Sequence, residues 1–165
     1  MEIYLGLGSN LGDRAMNLRN ALSKLALTIK IDAVSPVYET EPLYLKNQPK
    51  FLNITCKGQT ELSPRETLNF IKNVEKESGR IETERFGPRI IDIDLLFYGT
   101  EQIKEPGLIV PHPGIIERAF VLFPLSDIAP DFVHPVFGST IKELKSKLDA
   151  SSGVEKTDIL LWPLK

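Results

Sequence analysis

Apolar residues alternate with other residues along several short segments of the chain, and a period of two predicts β-strands. Two segments alternate in this way, a third is also predicted to be a strand, and a fourth is almost wholly apolar, β-branched or aromatic, which is typical of a buried strand. These strands are predicted over residues 1–7, 31–38, 51–57 and 90–97. A hairpin-like pair over residues 100–110 and an edge strand within residues 157–165 are predicted after them.

Apolar residues at helical spacing predict helices between these strands. The first helix follows a tight turn in which Ser9 or Asn10 provides the N-cap. The second begins at the capping box that starts at Ser63, and its apolar spacing continues to about residue 78. Shorter helices are predicted over residues 118–125 and after Thr140.

The order strand-helix-strand-strand-helix-strand predicts an α+β fold. We expect a ferredoxin-like βαββαβ core with a mainly antiparallel sheet, helices packed on it and C-terminal additions. A parallel α/β sheet is less favoured, because a long loop over residues 39–50, and not a crossover helix, joins the two strands between the helices. Long loops inside compact domains are usually functional.

Composition is that of an ordinary globular protein. The 165 residues are 42% hydrophobic and 25% charged, which predicts one domain over residues 1–165. A net charge of −2 gives no overall attraction to nucleic acid. Because the chain begins without a basic leader region and no apolar run is long enough to span a membrane, we expect a cytoplasmic protein without a membrane partner. A monomer is expected as well. Cys56 is the single cysteine and is expected to be an inert core thiol.

Glycines after the first strand do not form a nucleotide-binding motif. Gly6 and Gly8 are followed by Gly12, which is one place too late for the dinucleotide fingerprint. No Gly-Lys-Ser or Gly-Lys-Thr follows, so a P-loop is also excluded. We therefore interpret residues 8–10 as a tight strand-to-helix turn.

Two aspartates interrupt the buried strand predicted over residues 90–97. Because successive strand side chains point to opposite faces, Asp92 and Asp94 emerge on one face, about 6.6 Å apart along the strand. Two neighbouring carboxylates in an apolar strand repel each other and are costly to desolvate. One divalent cation or a pair of them removes that cost, and oxygen ligands suit Mg²⁺. The alternative is a solvated strand face with two unrelated aspartates.

Arginines supply the opposite charge just before this strand. Arg85 and Arg89 flank a short turn, and Arg80 lies slightly upstream. The arginine side chain binds phosphate oxygens through two parallel hydrogen bonds. Cations beside a carboxylate-held metal are typical of a polyphosphate site, although each arginine can instead pair with a nearby glutamate.

Several segments of the chain resemble, in order, the 6-hydroxymethyl-7,8-dihydropterin pyrophosphokinase family of folate biosynthesis. The most specific is Arg-Phe-Gly-Pro-Arg-Ile-Ile-Asp-Ile-Asp-Leu-Leu over residues 85–96. The others are Gly-Ser-Asn-Leu-Gly-Asp-Arg over residues 8–14, Tyr-Glu-Thr-Glu-Pro over 38–42, Gln-Pro over 48–49 with Phe-Leu-Asn over 51–53, and Val-Pro-His-Pro over 110–113. The resemblance therefore spans nearly the whole chain.

The resemblance implies transfer of the terminal diphosphoryl group of ATP to the pterin hydroxymethyl group, which leaves AMP. It implies two Mg²⁺ ions at Asp92 and Asp94, and it makes both aspartates catalytic together with Arg80 and Arg89. The ATP contacts implied by matching position are Lys72, Glu75, Arg80, Arg85, Arg89, His112 and Arg118. The implied pterin contacts are Thr40, Leu43, Phe51, Asn53, Asp94 and Phe120.

At six positions this chain has a residue other than the one common in the family, and these differences affect the expected loop conformation and ligand affinity. They are Tyr44, Asn47, Lys50, Phe86, Gly114 and Ile116. Two functions from other classes are weighed against the kinase. A non-catalytic ferredoxin-like metabolite-binding module does not need a pair of aspartates with its own arginine loop. A two-metal phosphodiesterase would be expected to show a basic nucleic-acid-binding surface, which this charge balance does not indicate.

Overall fold

The main sheet is antiparallel in the computed structural model, which describes residues 1–44, 46–79, 87–149 and 153–163. The strands of this sheet are β1 (Glu2–Ser9), β2 (Lys30–Val34), β3 (Tyr38–Thr40), β4 (Phe51–Gln59), β5 (Asp92–Tyr98) and β8 (Val154–Lys156). Within the described residues their order is β5-β1-β4-β3-β8, and β2 pairs with β4 beside β3. A separate hairpin joins β6 (Ile103–Glu105) to β7 (Leu108–Val110).

Helices cover both faces of the sheet. They are α1 (Arg14–Leu25), α2 (Pro64–Glu77), α3 (Ala119–Ile128) and α4 (Ile141–Ser146), and a 3₁₀ turn at Ile115–Glu117 precedes α3. One core cluster joins β1 to α1 and α2, and a second joins Tyr4 and Phe97 to α3 and α4. The predicted α+β class with a mainly antiparallel sheet is confirmed.

Capping explains where the second helix begins and ends. Ser63 accepts a hydrogen bond from the backbone N–H of Glu66, and the Glu66 carboxylate accepts one from the Ser63 N–H, as the capping box predicts. Pro64 occupies the first turn, where its missing N–H costs nothing. Gly79 follows the helix with φ of +88°, a conformation that only glycine adopts easily.

The predicted N-cap of the first helix is wrong. Asp13 caps α1 by accepting a hydrogen bond from the Met16 N–H, so the N-cap lies three or four residues later than the predicted Asn10 or Ser9. Ser9 still belongs to β1, and the side chain of Asn10 is bonded to a distant segment at Arg89. The shift arises because this long-range contact occupies the group that would otherwise cap a helix.

The strand predicted over residues 31–38 is two strands, β2 and β3, with a break at Ser35 and Pro36. Pro36 has no N–H to donate to a ladder. Ser35 bridges the break, because its N–H donates to the Thr55 carbonyl and its hydroxyl accepts from the Thr55 N–H. Both strands therefore pair with β4 along one edge, one after the other.

The edge strand predicted within residues 157–165 is wrong in position, because the edge strand is β8, Val154–Lys156. It pairs antiparallel with β3. Thr157 ends the pairing by donating both its N–H and its hydroxyl to the Val37 carbonyl. Through residue 163, where the described tail ends, no further strand follows.

Burial agrees with the prediction for Cys56, which is 2% exposed. Removal from water raises the pKa of its thiol to about 12, so the reactive thiolate is scarce at neutral pH. No helix in the described part of the chain is both long and apolar enough to cross a membrane.

Candidate functional site

A cleft opens on the α3 side of the sheet, over the carboxyl-terminal half of β1. Its floor is a row of residues that face one another across three strands, since Gly8 pairs with Asp92 of β5 on one side and with Asn53 of β4 on the other. Residues directly opposite one another project to the same face of a sheet. With neighbouring strands roughly 4.8 Å apart, the Cα atoms of Asp92 and Asn53 are roughly 10 Å apart, and the residue between them in this row, a glycine, has no side chain.

Glycine is required at the centre of this row. A Cβ atom at Gly8 would lie 2.5 Å from Oδ1 of Asn53, which is closer than van der Waals contact allows. At Gly6, by contrast, the nearest atoms would be 3.6 Å away on Leu96. The glycine spacing of β1 therefore shapes the floor of a cleft whose volume is about 280 Å³.

Asp92 and Asp94 both line the cleft, as the alternation along β5 predicted. Ile93, between them, is fully buried on the opposite face. Burial of the Asp94 carboxyl, together with the neighbouring charge of Asp92, raises the pKa of Asp94 from 3.8 to about 6. Two carboxylates that repel each other in this way favour a cation between or beside them.

Cationic side chains already lie close to each carboxylate. Nη1 of Arg89 is 3.5 Å from Oδ1 of Asp92, and the Arg89 side chain is only 18% exposed. Nη1 of Arg118 is 3.8 Å from Oδ2 of Asp94. Both pairs are longer than a tight bidentate ion pair, so the guanidinium groups keep donors available for an anionic ligand.

His112 follows the hairpin β6–β7 and faces Asp94. Its Nδ1 accepts a hydrogen bond from the Gly114 N–H, so the neutral ring carries its proton on Nε2, which lies 4.0 Å from Oδ1 of Asp94. Burial, with the Arg118 charge as the second cause, lowers the pKa of His112 to about 4. The imidazole is therefore a neutral hydrogen-bond donor at physiological pH.

Arg118 is held by residues on both sides of it. Its Nε donates a hydrogen bond to Oη of Tyr44, whose hydroxyl donates in turn to Oε1 of Glu117. The guanidinium carbon lies 5.5 Å from the Tyr44 ring and 5.6 Å from the Phe120 ring. A Cβ atom at Gly114 would lie 2.6 Å from Nε of Arg118. Tyr44 and Gly114, two of the departures from common family residues, thus both contact this arginine.

Lys72 lines the cleft, whereas Glu75 is not among the lining residues and is only 2% exposed. Oε2 of Glu75 accepts a hydrogen bond of 2.6 Å from the N–H of Ile93 in β5, which is the strand at the end of the sheet order. Its other oxygen is 3.3 Å from Nζ of Lys72. Glu75 therefore anchors the aspartate-bearing strand to α2 and orients Lys72.

The other end of the cleft is neutral and aromatic. Asn53 is 6% exposed, and its Nδ2 donates a hydrogen bond of 2.7 Å to Oγ1 of Thr40, which is also buried. This bond fixes the orientation of the amide. Phe51 lies beside Asn53, since both are near the position of a Cβ atom at Gly8, and Leu43 and Phe120 also line the cleft, with the Phe120 ring 5.6 Å from the Arg118 guanidinium carbon. A flat heterocycle with hydrogen-bonding edges suits such a lining.

Most of the predicted site residues meet in this cleft. Those that line it are Thr40, Leu43, Phe51, Asn53, Lys72, Arg89, Asp92, Asp94, His112, Arg118 and Phe120. Arg80 and Arg85 lie outside the described residues. Glu41 and Gln48 also line the cleft, and Asn10 contacts Arg89 from outside the lining, although the sequence pattern predicted no site role for any of the three. The motif segments contained Asn10 and Gln48, but nothing in their spacing indicated a contact between them.

The chemistry of the donors fits Mg²⁺. Two carboxylates directed into one cleft, with the ionisation of Asp94 disfavoured until a cation arrives, match the way proteins hold Mg²⁺ through one or two carboxylates and substrate phosphates. Among the residues that the structure describes, no group of three or more His, Cys, Asp or Glu side chains is arranged to hold a metal by itself.

A family model described as 7,8-dihydro-6-hydroxymethylpterin-pyrophosphokinase matches residues 4–130. The chain is 46% identical over 143 residues to the 2-amino-4-hydroxy-6-hydroxymethyldihydropteridine pyrophosphokinase of Aquifex aeolicus, with 87% of this chain and 89% of that protein covered. It is 44% identical over 157 residues to the protein of the same name from Methylorubrum extorquens, with 94% and 98% covered.

Some relatives are much longer. The Folic acid synthesis protein FOL1 of Dictyostelium discoideum is 46% identical over 146 residues, which cover 88% of this chain but 22% of that protein. The chain thus spans about a fifth of the length of this relative. A solved structure of Plasmodium falciparum HPPK-DHPS superposes with a TM-score of 0.72 at 20% identity, over 88% of this chain and 44% of that one. At this identity the likeness concerns the fold.

Proposed function

This chain belongs to the 7,8-dihydro-6-hydroxymethylpterin-pyrophosphokinase family, and we propose that it transfers the terminal diphosphoryl group of ATP to the hydroxymethyl oxygen of 6-hydroxymethyl-7,8-dihydropterin. A bond forms between that oxygen and the β-phosphorus, the bond from the β-phosphorus to the α–β bridging oxygen breaks, and AMP leaves. The hydroxyl proton is released. The single observation that carries the proposal is one cleft with the Asp92 and Asp94 carboxylates and their cationic neighbours at one end of its floor and the neutral Asn53 amide at the other.

The charged end suits the polyphosphate. Phosphoryl transfer depends mainly on positioning and charge neutralisation, because the protein has little covalent chemistry to perform. Arg89 and Arg118 bind phosphate oxygens, and Lys72 adds a third positive charge beside them. His112, neutral at physiological pH, donates a hydrogen bond from Nε2 without adding charge. Arg80 and Arg85 are proposed to assist from the segment that precedes Arg89.

Asp92 and Asp94 are the residues proposed to hold Mg²⁺, as two ions. When bound, Mg²⁺ neutralises phosphate charge and polarises the reacting phosphoryl oxygens. The carboxylates themselves orient the charged end of the cleft, since each lies beside one arginine. The strand that carries them is fixed by the Glu75 bond to the Ile93 N–H, so their spacing is set before substrates bind. This contact replaces a direct ATP contact as our proposed role for Glu75.

The neutral end suits the pterin. Asn53 presents Oδ1 toward the floor and is fixed by Thr40, so it can accept and donate hydrogen bonds at the heterocycle edge. Phe51 and Phe120 provide ring contacts, and Leu43 closes the rim. The pterin hydroxymethyl group would then point along the floor, across Gly8, toward the carboxylates.

Replacement of Asn53 by alanine is expected to weaken pterin binding by about 1–3 kcal/mol, because buried polar groups on the ligand then lack partners. ATP binding without pterin should change little, since Asn53 stands at the opposite end of the floor from Asp92. Calorimetric titration with each ligand separates the two effects. The exposed Asn20→Ala variant of α1 is the matched control. Reduced ATP affinity with unchanged pterin affinity would show that the two ends are assigned in reverse.

The activity itself is tested by incubation of the purified protein with ATP, Mg²⁺ and 6-hydroxymethyl-7,8-dihydropterin. We expect AMP and pterin diphosphate in equal amounts, measured by chromatography and ³¹P nuclear magnetic resonance. ADP as the main product, or AMP release that does not depend on pterin, contradicts diphosphoryl transfer. Binding of both ligands without AMP release is the result expected of a metabolite-binding module. Hydrolysis of a phosphodiester without pterin is the result expected of a phosphodiesterase.

We also assign the sheet to the ferredoxin-like class with C-terminal additions. Support comes from the order β5-β1-β4 followed by β2 and β3, which is the order of a βαββαβ unit whose second strand is broken in two. The single-domain organisation, the monomeric state and the cytoplasmic location stay predictions from the sequence.

A further inference from the structure

Asn10 lies behind the cleft and contacts Arg89 through two hydrogen bonds. Its Oδ1 accepts from the Arg89 N–H at 2.7 Å, and its own backbone N–H donates to the Arg89 carbonyl at 3.0 Å. Asn10 is 2% exposed and is not among the residues that line the cleft. These bonds fix the backbone from which the Arg89 side chain reaches Asp92.

The other end of the Asn10 amide contacts the opposite wall of the cleft. Nδ2 donates to Oε1 of Gln48 at 2.9 Å and to the Pro49 carbonyl at 3.0 Å. Gln48 lines the cleft, and the segment leads directly into β4, which carries Phe51 and Asn53. Both amide hydrogens and the carbonyl oxygen of one side chain are therefore used, and they join two segments that are about forty positions apart in sequence.

We infer that Asn10 is a positioning residue that couples the pterin end of the cleft to the placement of Arg89, an inference that rests on the function proposed above. A buried amide with all its hydrogen bonds made is held in one orientation, because any displacement leaves polar groups unsatisfied. A pterin that moves or fixes the segment at Gln48 and Pro49 therefore acts on Arg89 through Asn10. The effect is reciprocal, because coupling between two binding sites is a shared free energy.

A purely local role in the turn would look different, and Asn17 provides the example. Its Nδ2 donates to Oγ of Ser9 and to the Leu11 carbonyl, both within the same turn. Asn17 has no hydrogen bond to Arg89 or to Gln48 among the contacts of the described residues. The same substitution at Asn17 therefore disturbs the turn but not the connection between the two walls.

Asn10→Asp tests the contacts of Oδ1 and Nδ2 separately, because it retains the first and removes the second. The variant keeps an oxygen to accept from the Arg89 N–H, but a second oxygen replaces the NH₂ group and faces the Pro49 carbonyl. The measured quantity is the factor by which an ATP analogue with a methylene group between the α- and β-phosphorus changes the pterin Kd. We expect this factor to lie between about 5 and 150 in the unaltered protein, the range of coupled sites, and to fall toward one in Asn10→Asp.

Turnover provides a second readout. Asn10→Asp is expected to lower kcat about tenfold or more while the KM for ATP changes less than about threefold, because small misplacement of a catalytic group affects the reacting state more than ground-state binding. Asn17→Asp should retain both the coupling factor and kcat. The inference is overturned if the ATP analogue changes the pterin Kd by the same factor in Asn10→Asp and in the unaltered protein. It is also overturned if the analogue changes the pterin Kd of the unaltered protein by less than about twofold.

Amide hydrogen exchange at Arg89 tests the contact without turnover. Protection is expected in the unaltered protein and in Asn10→Asp, and its loss is expected in Asn10→Ala, since only alanine removes the acceptor. Unchanged protection of the Arg89 amide in Asn10→Ala overturns the positioning role, whatever the turnover of that variant. Conversely, absence of AMP formation by the unaltered protein rejects the proposed function while the exchange result still stands. If Asn10→Asp does not fold, Gln48→Leu cuts the same connection from the partly exposed side and should also lower the coupling factor.

Discussion

Asp94→Asn is expected to lose nearly all diphosphoryl transfer while the protein remains folded. The substitution keeps the shape of the side chain but removes a charged oxygen ligand for Mg²⁺. Metal ions contribute several kcal/mol of charge stabilisation in such transition states, which corresponds to a loss of about 10³-fold or more in kcat. Asp92→Asn should behave similarly, because the two carboxylates share one cleft.

Asp94→Asn should lower activity but not the stability of the ligand-free protein at neutral pH. The pKa of Asp94 is raised from 3.8 to about 6 in the folded protein. Between pH 3.8 and about pH 6, Asp94 is therefore mostly protonated in the folded state and mostly ionised in the unfolded state. Stability therefore falls as pH rises through this window, and the loss is complete above pH 6. Asp94→Asn lacks the titrating group, so its Tm is expected to decline less between pH 4 and 6 and to equal or exceed that of the unaltered protein at pH 7.

Thermal unfolding in a metal chelator across this pH range, combined with the AMP assay at several Mg²⁺ concentrations, measures both effects. The exposed Asp131→Asn variant removes one aspartate outside the cleft and serves as the control. Near-normal turnover of Asp94→Asn at modest Mg²⁺ would mean that the metal site is misplaced. A Tm decline as steep as that of the unaltered protein would mean that Asp94 is not the group that titrates.

Arg89→Ala is expected to lower kcat by about 10²-fold or more, the range observed when a donor to transition-state charge is removed. In the ligand-free protein this guanidinium is 3.5 Å from Asp92, so part of its positive charge is already paired. Phosphate charge that develops during transfer draws on it more strongly than ground-state ATP does, and the ATP Kd should therefore change much less than kcat. The kcat of Arg89→Lys should lie between those of Arg89→Ala and the unaltered protein, because lysine keeps the charge but lacks the paired donors.

Single-turnover kinetics and ATP titration separate these quantities. Arg65→Ala is the control, since Arg65 lies outside the cleft and pairs with Glu105. Equal losses in kcat and in ATP affinity would indicate uniform binding of substrate and transition state. Arg89→Lys at full activity would indicate that a point charge alone is sufficient.

Local periodicity determined much of this protein from the sequence alone. Alternation along β5 placed Asp92 and Asp94 on one face and Ile93 on the other, because a strand can present successive side chains in no other way. The capping box at Ser63 located the start of α2, since it satisfies donors only a few residues away. The class of fold followed from the order of the elements.

Only the tertiary structure decided which distant segments meet. Ser9 or Asn10 was expected to cap a helix, but the side chain of Asn10 bonds to Arg89, which is 79 positions away, and Asp13 caps the helix instead. The edge strand formed at residues 154–156 because β3 offered a pairing edge there. The bond from the Ile93 N–H to the Glu75 carboxylate likewise joins β5 to a helix that ends well before it in the sequence, and no local pattern indicated it.

The row of Asp92, Gly8 and Asn53 was likewise determined partly by the sequence and partly by the tertiary structure. Each residue belonged to a segment that the sequence marked, but their alignment depends on the register of three strands from different parts of the chain. Periodicity fixes the face on which a side chain lies, because it depends on the dihedral angles of neighbouring residues. Register depends on packing and hydrogen bonding between strands that are far apart in sequence, so the shape of the cleft emerges only when the sheet assembles.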